Sequence, residues 1–221
     1  MKRRVWAAAL AFVLLAGGAG FLPRSREMER LKLVSALAVD GGGEVSVTAL
    51  TAVRASGEEE PETFSGVGGS LASACRNLRE SSARRAYLGQ TEQLLLGEGC
   101  DLEQTLDFVL TDRELRMDAS LYIVKGNAGQ VLQASVERAG EETGGRDPRG
   151  RTVGETLARL AQEEYALIPA LAPGGDGTAA PAGWAVAGPG GVAGYLEGEA
   201  AVGAFLLLGG GAGEVVTLSA G

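Results

Sequence analysis

The chain has 221 residues, 45% of them hydrophobic and 22% charged, a balance that supports a buried core and excludes wholesale disorder. Its net charge of −8 would repel a phosphate backbone and excludes a nucleic-acid binder, and its 35 glycines lack the third-residue period of collagen. The complete absence of histidine removes the commonest general base at neutral pH and the commonest metal ligand.

Lys2-Arg3-Arg4 feeds an uncharged run from Val5 to Leu22. This pattern predicts a signal peptide or single membrane anchor over residues 1–23, the basic end staying in the cytoplasm and the remainder lying outside. The run is only just long enough to span a bilayer, and the small residues from Gly17 to Ala19 also suit a cleavage site, so retention and cleavage both stay open. Residues 24–221 are then expected to form one α+β domain, a mixed or antiparallel sheet with packed amphipathic helices.

Leu31 to Asp40 and Glu44 to Val53 alternate in hydrophobicity and are joined by Gly41-Gly42-Gly43, which predicts an antiparallel hairpin with one face on the core. Ala55 to Glu62, with three consecutive glutamates and Pro61, is a solvated loop. Thr63 to Gly66 is a short strand, and Ser70 caps a helix whose inward face is Leu71, Ala74, Cys75 and Leu78. Between them, Gly66-Val67-Gly68-Gly69-Ser70 occupies the place of a phosphate-cradling loop, but its spacing fits neither the dinucleotide fingerprint nor the P-loop, so a tight turn is expected.

Ala83 to Gly126 reads as strand, amphipathic helix, strand. Asp101 caps the helix, with Leu102, Leu106 and Val109 on one face and Phe108 and Leu110 flanking. A charged elbow from Thr111 to Arg116 leads into Leu121 to Val124, apolar on both faces and so a central strand covered on both sides. Residues 139–151 form a flexible loop, after which Thr152 caps a helix with Val153, Leu157, Leu160 and Ala161 inward. Tyr165 to Leu171 is extended and apolar, and Gly174 to Pro181 is a second flexible turn. Trp184 to Ala187 and Val192 to Leu196 flank Gly188-Pro189-Gly190-Gly191 as a hairpin, followed by a helix over Glu199 to Leu208 and a last strand at Val215 to Leu218.

Several of these segments together resemble the Ger(x)C family, the C subunits of bacterial spore nutrient-germinant receptors. The residues that carry the resemblance are Arg84-Arg85 before Tyr87, the helix Leu106-Asp107-Phe108-Val109-Leu110-Thr111-Asp112, the turn Glu114-Leu115-Arg116, and the strand Tyr122-Ile123-Val124-Lys125-Gly126. Leu33 to Asp40 resembles the family's first strand, and Gly183, Ala185, Val186, Gly194, Tyr195, Leu196 and Glu199 match its later hairpin and helix. The resemblance runs from about Arg26 to Thr217; a full-length family member continues for a further domain, which is expected to be missing here. It also implies a lipidated cysteine at the end of the apolar run, where this chain has Gly18 or Leu22. Lipidation is therefore not expected, and a retained helix would replace it.

The resemblance implies a tether on the outer face of the spore inner membrane and, as partners, a permease-like subunit and a multi-pass membrane subunit. The polar residues singled out are Arg84, Arg85, Asp112, Glu114 and Arg116, read either as ion pairs bracing the strand ends or as a partner-docking surface. No catalytic, cofactor or metal site is expected. Two cysteines, Cys75 and Cys100, cannot build a zinc site and are expected as buried free thiols, with a disulfide between them the alternative in an oxidising exterior, and no Ser-x-x-Lys or positioned carboxylate pair stands in for a missing imidazole. A non-catalytic membrane-tethered subunit working by protein contacts is the leading expectation. The alternatives are a germinant-binding module and a degenerate, truncated family member.

Overall fold

The computed structural model describes residues 31–51, 60–82, 84–137, 151–162, 164–175, 177–188 and 190–207. The expected anchor, the acidic loop before Glu60, the 139–151 loop up to residue 150 and the final strand at 215–218 lie outside them. The described strands are β1 (Leu31–Asp40), β2 (Val45–Thr51), β3 (Thr63–Gly68), β4 (Arg85–Tyr87), β5 (Gln93–Gly97), β6 (Ser120–Val124), β7 (Ala166–Pro173), β8 (Ala179–Gly188) and β9 (Gly191–Leu196). The helices are α1 (Leu71–Ser81), α2 (Leu102–Thr111), α3 (Ala128–Glu137), α4 (Val153–Leu160) and α5 (Gly198–Leu207). This is the expected α+β class.

All nine strands join one mixed sheet ordered β3-β2-β1-β5-β6-β7-β8-β9, with β4 added beside the start of β1. β1, β5, β6 and β7 run parallel, and the hairpin partners β2, β3, β8 and β9 complete the sheet with antiparallel pairs. Parallel neighbours need long crossovers, and α2 supplies the one between β5 and β6.

The sheet separates two apolar clusters. One gathers Leu37, Val39 and Ile123 under Cys75 and Leu78 of α1, Leu106 and Val109 of α2, and Val153 of α4. The other gathers Ala36, Ala38, Leu95, Tyr122 and Val124 under Ala128, Val131 and Leu132 of α3. Burying each large aliphatic side chain contributes about 1.5–3 kcal/mol. β1 therefore departs from its expected one-sided burial: from Ala36 to Asp40 every residue is buried, because β1 is an interior strand with helices over both faces. Its smaller-side alternation, Ala36 and Ala38, is what lets α3 lie close.

The glycines of β3 also have a packing reason. A Cβ on Gly66 would stand 2.2 Å from the Leu78 amide nitrogen, and one on Gly68 would stand 2.3 Å from Ser73 Oγ. They bring α1 hard against the sheet, which accounts for the glycine pattern that mimics a phosphate loop. Ser70 caps α1 through a reciprocal capping box with Ser73.

Two further expectations are corrected, and one helix is added. The first strand of the Ala83–Gly126 segment is two, β4 and β5, separated by a 3-10 turn at Leu88–Gln90. Ala161 is exposed, since α4 ends at Leu160, whereas Leu157 and Leu160 pack half-buried against the core as expected. α3 lies in a stretch the sequence reading left unassigned; Asn127 opens it by accepting the Gln130 amide through Oδ1 at 2.7 Å. The β6 expectation holds, with every residue buried between β5 and β7.

Candidate partner-docking site

The five polar residues singled out by sequence all lie toward the end of the sheet where β1, β5 and β6 begin. Leu31 at the start of β1 pairs with Arg85, and the elbow after α2 leads directly into β6. Asp112 is the C-cap of α2, an unfavourable position for an anion because carbonyl oxygens converge there. Two contacts offset this. Its Oδ1 accepts the Glu114 amide at 2.9 Å, and its Oδ2 accepts Nη2 of Arg79 at 3.0 Å. Arg79 also reaches Glu114 at 3.4 Å, and Arg85 reaches the other Glu114 oxygen at 3.0 Å.

Arg79, which sequence reasoning missed, is thus the hub. Burial alone would lower its pKa, but the Asp112 hydrogen bond and the Asp112 and Glu114 charges outweigh burial and raise it. Its Nε is buried with no hydrogen-bond partner among the described residues. The signal was its place on α1, one turn beyond Cys75; the partners lie more than thirty residues on and no local pattern names them.

The five residues do not form one network. Asp112, Glu114 and Arg85 are joined through Arg79, whereas Arg116 turns away to Asp118, with Nε donating to Oδ1 at 2.8 Å. Arg84 precedes β4 with its side chain exposed. The Arg85 side chain is 69% exposed against 10% for Asp112, so the inner half of the cluster braces α1 to the elbow and the outer arginines face solvent. Cys75 lies on the buried face of α1 near this brace; burial pushes its thiol up to about 12, against a smaller opposing pull from Arg79. Both cysteines are free thiols, and burial also raises the pKa of Cys100.

At the opposite end of the strands a second polar site appears that the sequence reading did not single out. Asp40, the last residue of β1, is 9% exposed, and its two oxygens accept the amides of Ala128 and Gly129 at 2.7 and 2.8 Å. These are orphan donors of the α3 N-terminus, so a strand end caps a helix nearly ninety residues away. The carboxylate fits because Gly97 has no side chain: a Cβ there would stand 2.1 Å from Asp40 Oδ1. Beside it, Lys125 donates to Glu197 at 2.6 Å and lies over the Tyr195 ring at 4.7 Å from its centroid. The Lys125 hydrogen bond and charge hold Glu197 below its ordinary value.

Among the described residues no group of three or more Cys, Asp and Glu side chains could hold a metal ion, and no helix is long and apolar enough to cross a membrane.

A family model described as the spore germination protein N-terminal domain matches residues 24–144, a span that includes the Arg79 cluster and the Asp40 cap. This defines the class. The chain belongs to the Ger(x)C-like family of spore germination proteins. Among solved structures, the crystal structure of the GerBC protein aligns at 19% identity with a TM-score of 0.44, covering 83% of this chain and 58% of that one. The chain thus spans under two thirds of that protein's length. No curated protein matches.

Proposed function

We propose that the chain is the N-terminal part of a germinant-receptor C-type subunit, held at the outer face of the spore inner membrane by residues 1–23 and acting through protein contacts without breaking bonds. The observation that carries this reading is the family match over residues 24–144. Absence of histidine from the whole sequence supports a non-catalytic role. A permease-like subunit and a multi-pass subunit are the partners proposed.

On this reading Arg84, Arg85 and Arg116 present cations to a partner, while Asp112 and Glu114 set the height of the elbow through Arg79. The test is co-purification of the full chain from detergent-solubilised spores. Recovery of both membrane subunits is the expected result, reduced in an Arg84→Glu, Arg85→Glu double variant. Repeated failure of the unmodified chain to bring down either subunit defeats the reading.

A further inference from the structure

A groove of about 300 Å³ runs between α2 and α4 and is closed at one end by Gly188 and Gly191 of the β8–β9 hairpin. Leu106, Leu157 and Leu160 make its apolar floor and wall. Glu103, Asp107 and Leu110 project along one rim from successive turns of α2. Five large apolar side chains are exposed among the described residues, and one of them, Leu110, lines the groove, with two more close to its glycine end. Leu110, 55% exposed, lines the groove; Tyr165, 51% exposed, lies against Gly188; Val192 follows Gly191. Isolated exposed apolar residues are ordinary, but an exposed leucine lining an apolar groove, with Tyr165 against the Gly188 that closes it, marks a contact surface.

We propose that this groove seats a basic amphipathic helix of a partner protein. The inference rests on the protein-contact reading above and names the surface and the chemistry of the occupant. Three observations select that occupant. The groove is walled along its length by two helices whose backbone groups are already paired, and a sheet edge adjoins it only at the Gly191 end, so an extended segment laid in it would leave most of its N–H and C=O groups unmet, whereas a helix arrives with them satisfied. Glu103 and Asp107 lie one turn apart on the rim and have no ion-pair partner among the described residues, while the nearby Arg159 is engaged by Glu164 at 3.6 Å. Cations one turn apart on the occupant would meet both. The same carboxylates repel anionic lipid headgroups, and a net charge of −8 opposes a second copy of this chain. The volume is at the small end of the roughly 300–1,000 Å³ that holds a drug-sized ligand, and suits a few apolar anchors.

The test places the photocrosslinking residue p-benzoylphenylalanine at Leu110 of the full chain in spore membranes, with the exposed Val67 on β3 as the control position. Crosslinked peptides are then sequenced by mass spectrometry. The expected product is one dominant segment with apolar residues at helical spacing and lysine or arginine one turn apart. Its yield should fall at least tenfold in a Glu103→Lys, Asp107→Lys variant and recover when the segment's basic residues are made acidic. Leu110 yielding no more than Val67 overturns the groove assignment, as does a crosslink to lipid, to a small molecule, to another copy of this chain or to an acidic segment. Co-purification of the receptor subunits is scored on the same samples. Subunits present without a Leu110 product sink the groove alone; subunits absent with a basic-helix product sink the receptor reading alone; loss of both sinks both.

Discussion

The two ends of β1 use carboxylates differently. At one end Asp40 is buried and spends both oxygens on backbone amides of α3, whose next free amide is taken by Asn127. At the other, Asp112 and Glu114 share the Arg79 guanidinium, while the outer arginines make more exposed pairs, Arg85 with Glu114 and Arg116 with Asp118. A backbone donor cannot move away, so the Asp40 end is fixed; an arginine side chain can exchange partners, so the Arg79 end is able to trade an internal ion pair for one with another protein. The difference separates an end fixed by backbone donors from an end held by exchangeable side chains, which is where partner docking is proposed.

Asp40→Ala should produce the largest effect. It leaves two buried helix amides without acceptors, and with charged hydrogen bonds worth about 1.5–3 kcal/mol each it should cost about 4 kcal/mol. The urea midpoint reads the loss, and hydrogen exchange should locate it at the start of α3. A variant within about 1 kcal/mol of the parent would abolish the proposed contrast.

Arg79→Met should cost about 1–2 kcal/mol, between an exposed pair and a fully buried one. Added salt should narrow that gap for Arg79 and leave the Asp40→Ala deficit unchanged. Equal salt sensitivity of the two would mean that both ends are built alike.

Cys75 reports how dry the floor beneath the Arg79 brace is. Its folded thiol, at about 12 against an ordinary 9.0, keeps its proton after the unfolded chain has lost its own. Stability is therefore full below pH 9 and declines as pH rises from 9 toward 12. The share due to Cys75 is about 1 kcal/mol by pH 10. Cys75→Ala should flatten the alkaline limb by that amount; an unaltered limb would mean that water reaches the thiol.

Arg116→Ala is expected to do least. Its partner is the exposed Asp118 two residues along, and no shift in thermal midpoint should be seen. A clear destabilisation would show that the outer arginines are part of the brace.

What was legible in the sequence follows the range of the interaction. Ser70, Asp101 and Thr152 each cap a helix through a hydrogen bond three residues on, and each was readable. The buried run at Leu121 to Val124 was readable as well, because burial on both faces leaves an unbroken apolar stretch. Half of the polar cluster was also visible, as charges crowded at an elbow. Arg79 and Asp40 were not, since their partners lie about thirty and ninety residues away and no local pattern encodes such pairings. α3 went unread for a partly related reason: two of its N-terminal amides are held by the end of β1, although the local cap of Asn127 on Gln130 was a readable signal. The glycines of β3 were visible but ambiguous, because close helix approach and phosphate binding demand the same missing side chain.

The interior position of β1 bears on how the chain is made. It is the first described strand to be synthesised, yet its neighbour β5 follows only after two more strands, a helix and β4. Until Leu94 to Leu96 emerge, the hairpin of β1 and β2 carries an open hydrogen-bonding edge beside apolar residues on both faces. Such delayed, non-local pairing is slow and prone to aggregation. A nascent chain stalled before β5 is consequently the species that a holding chaperone must shield.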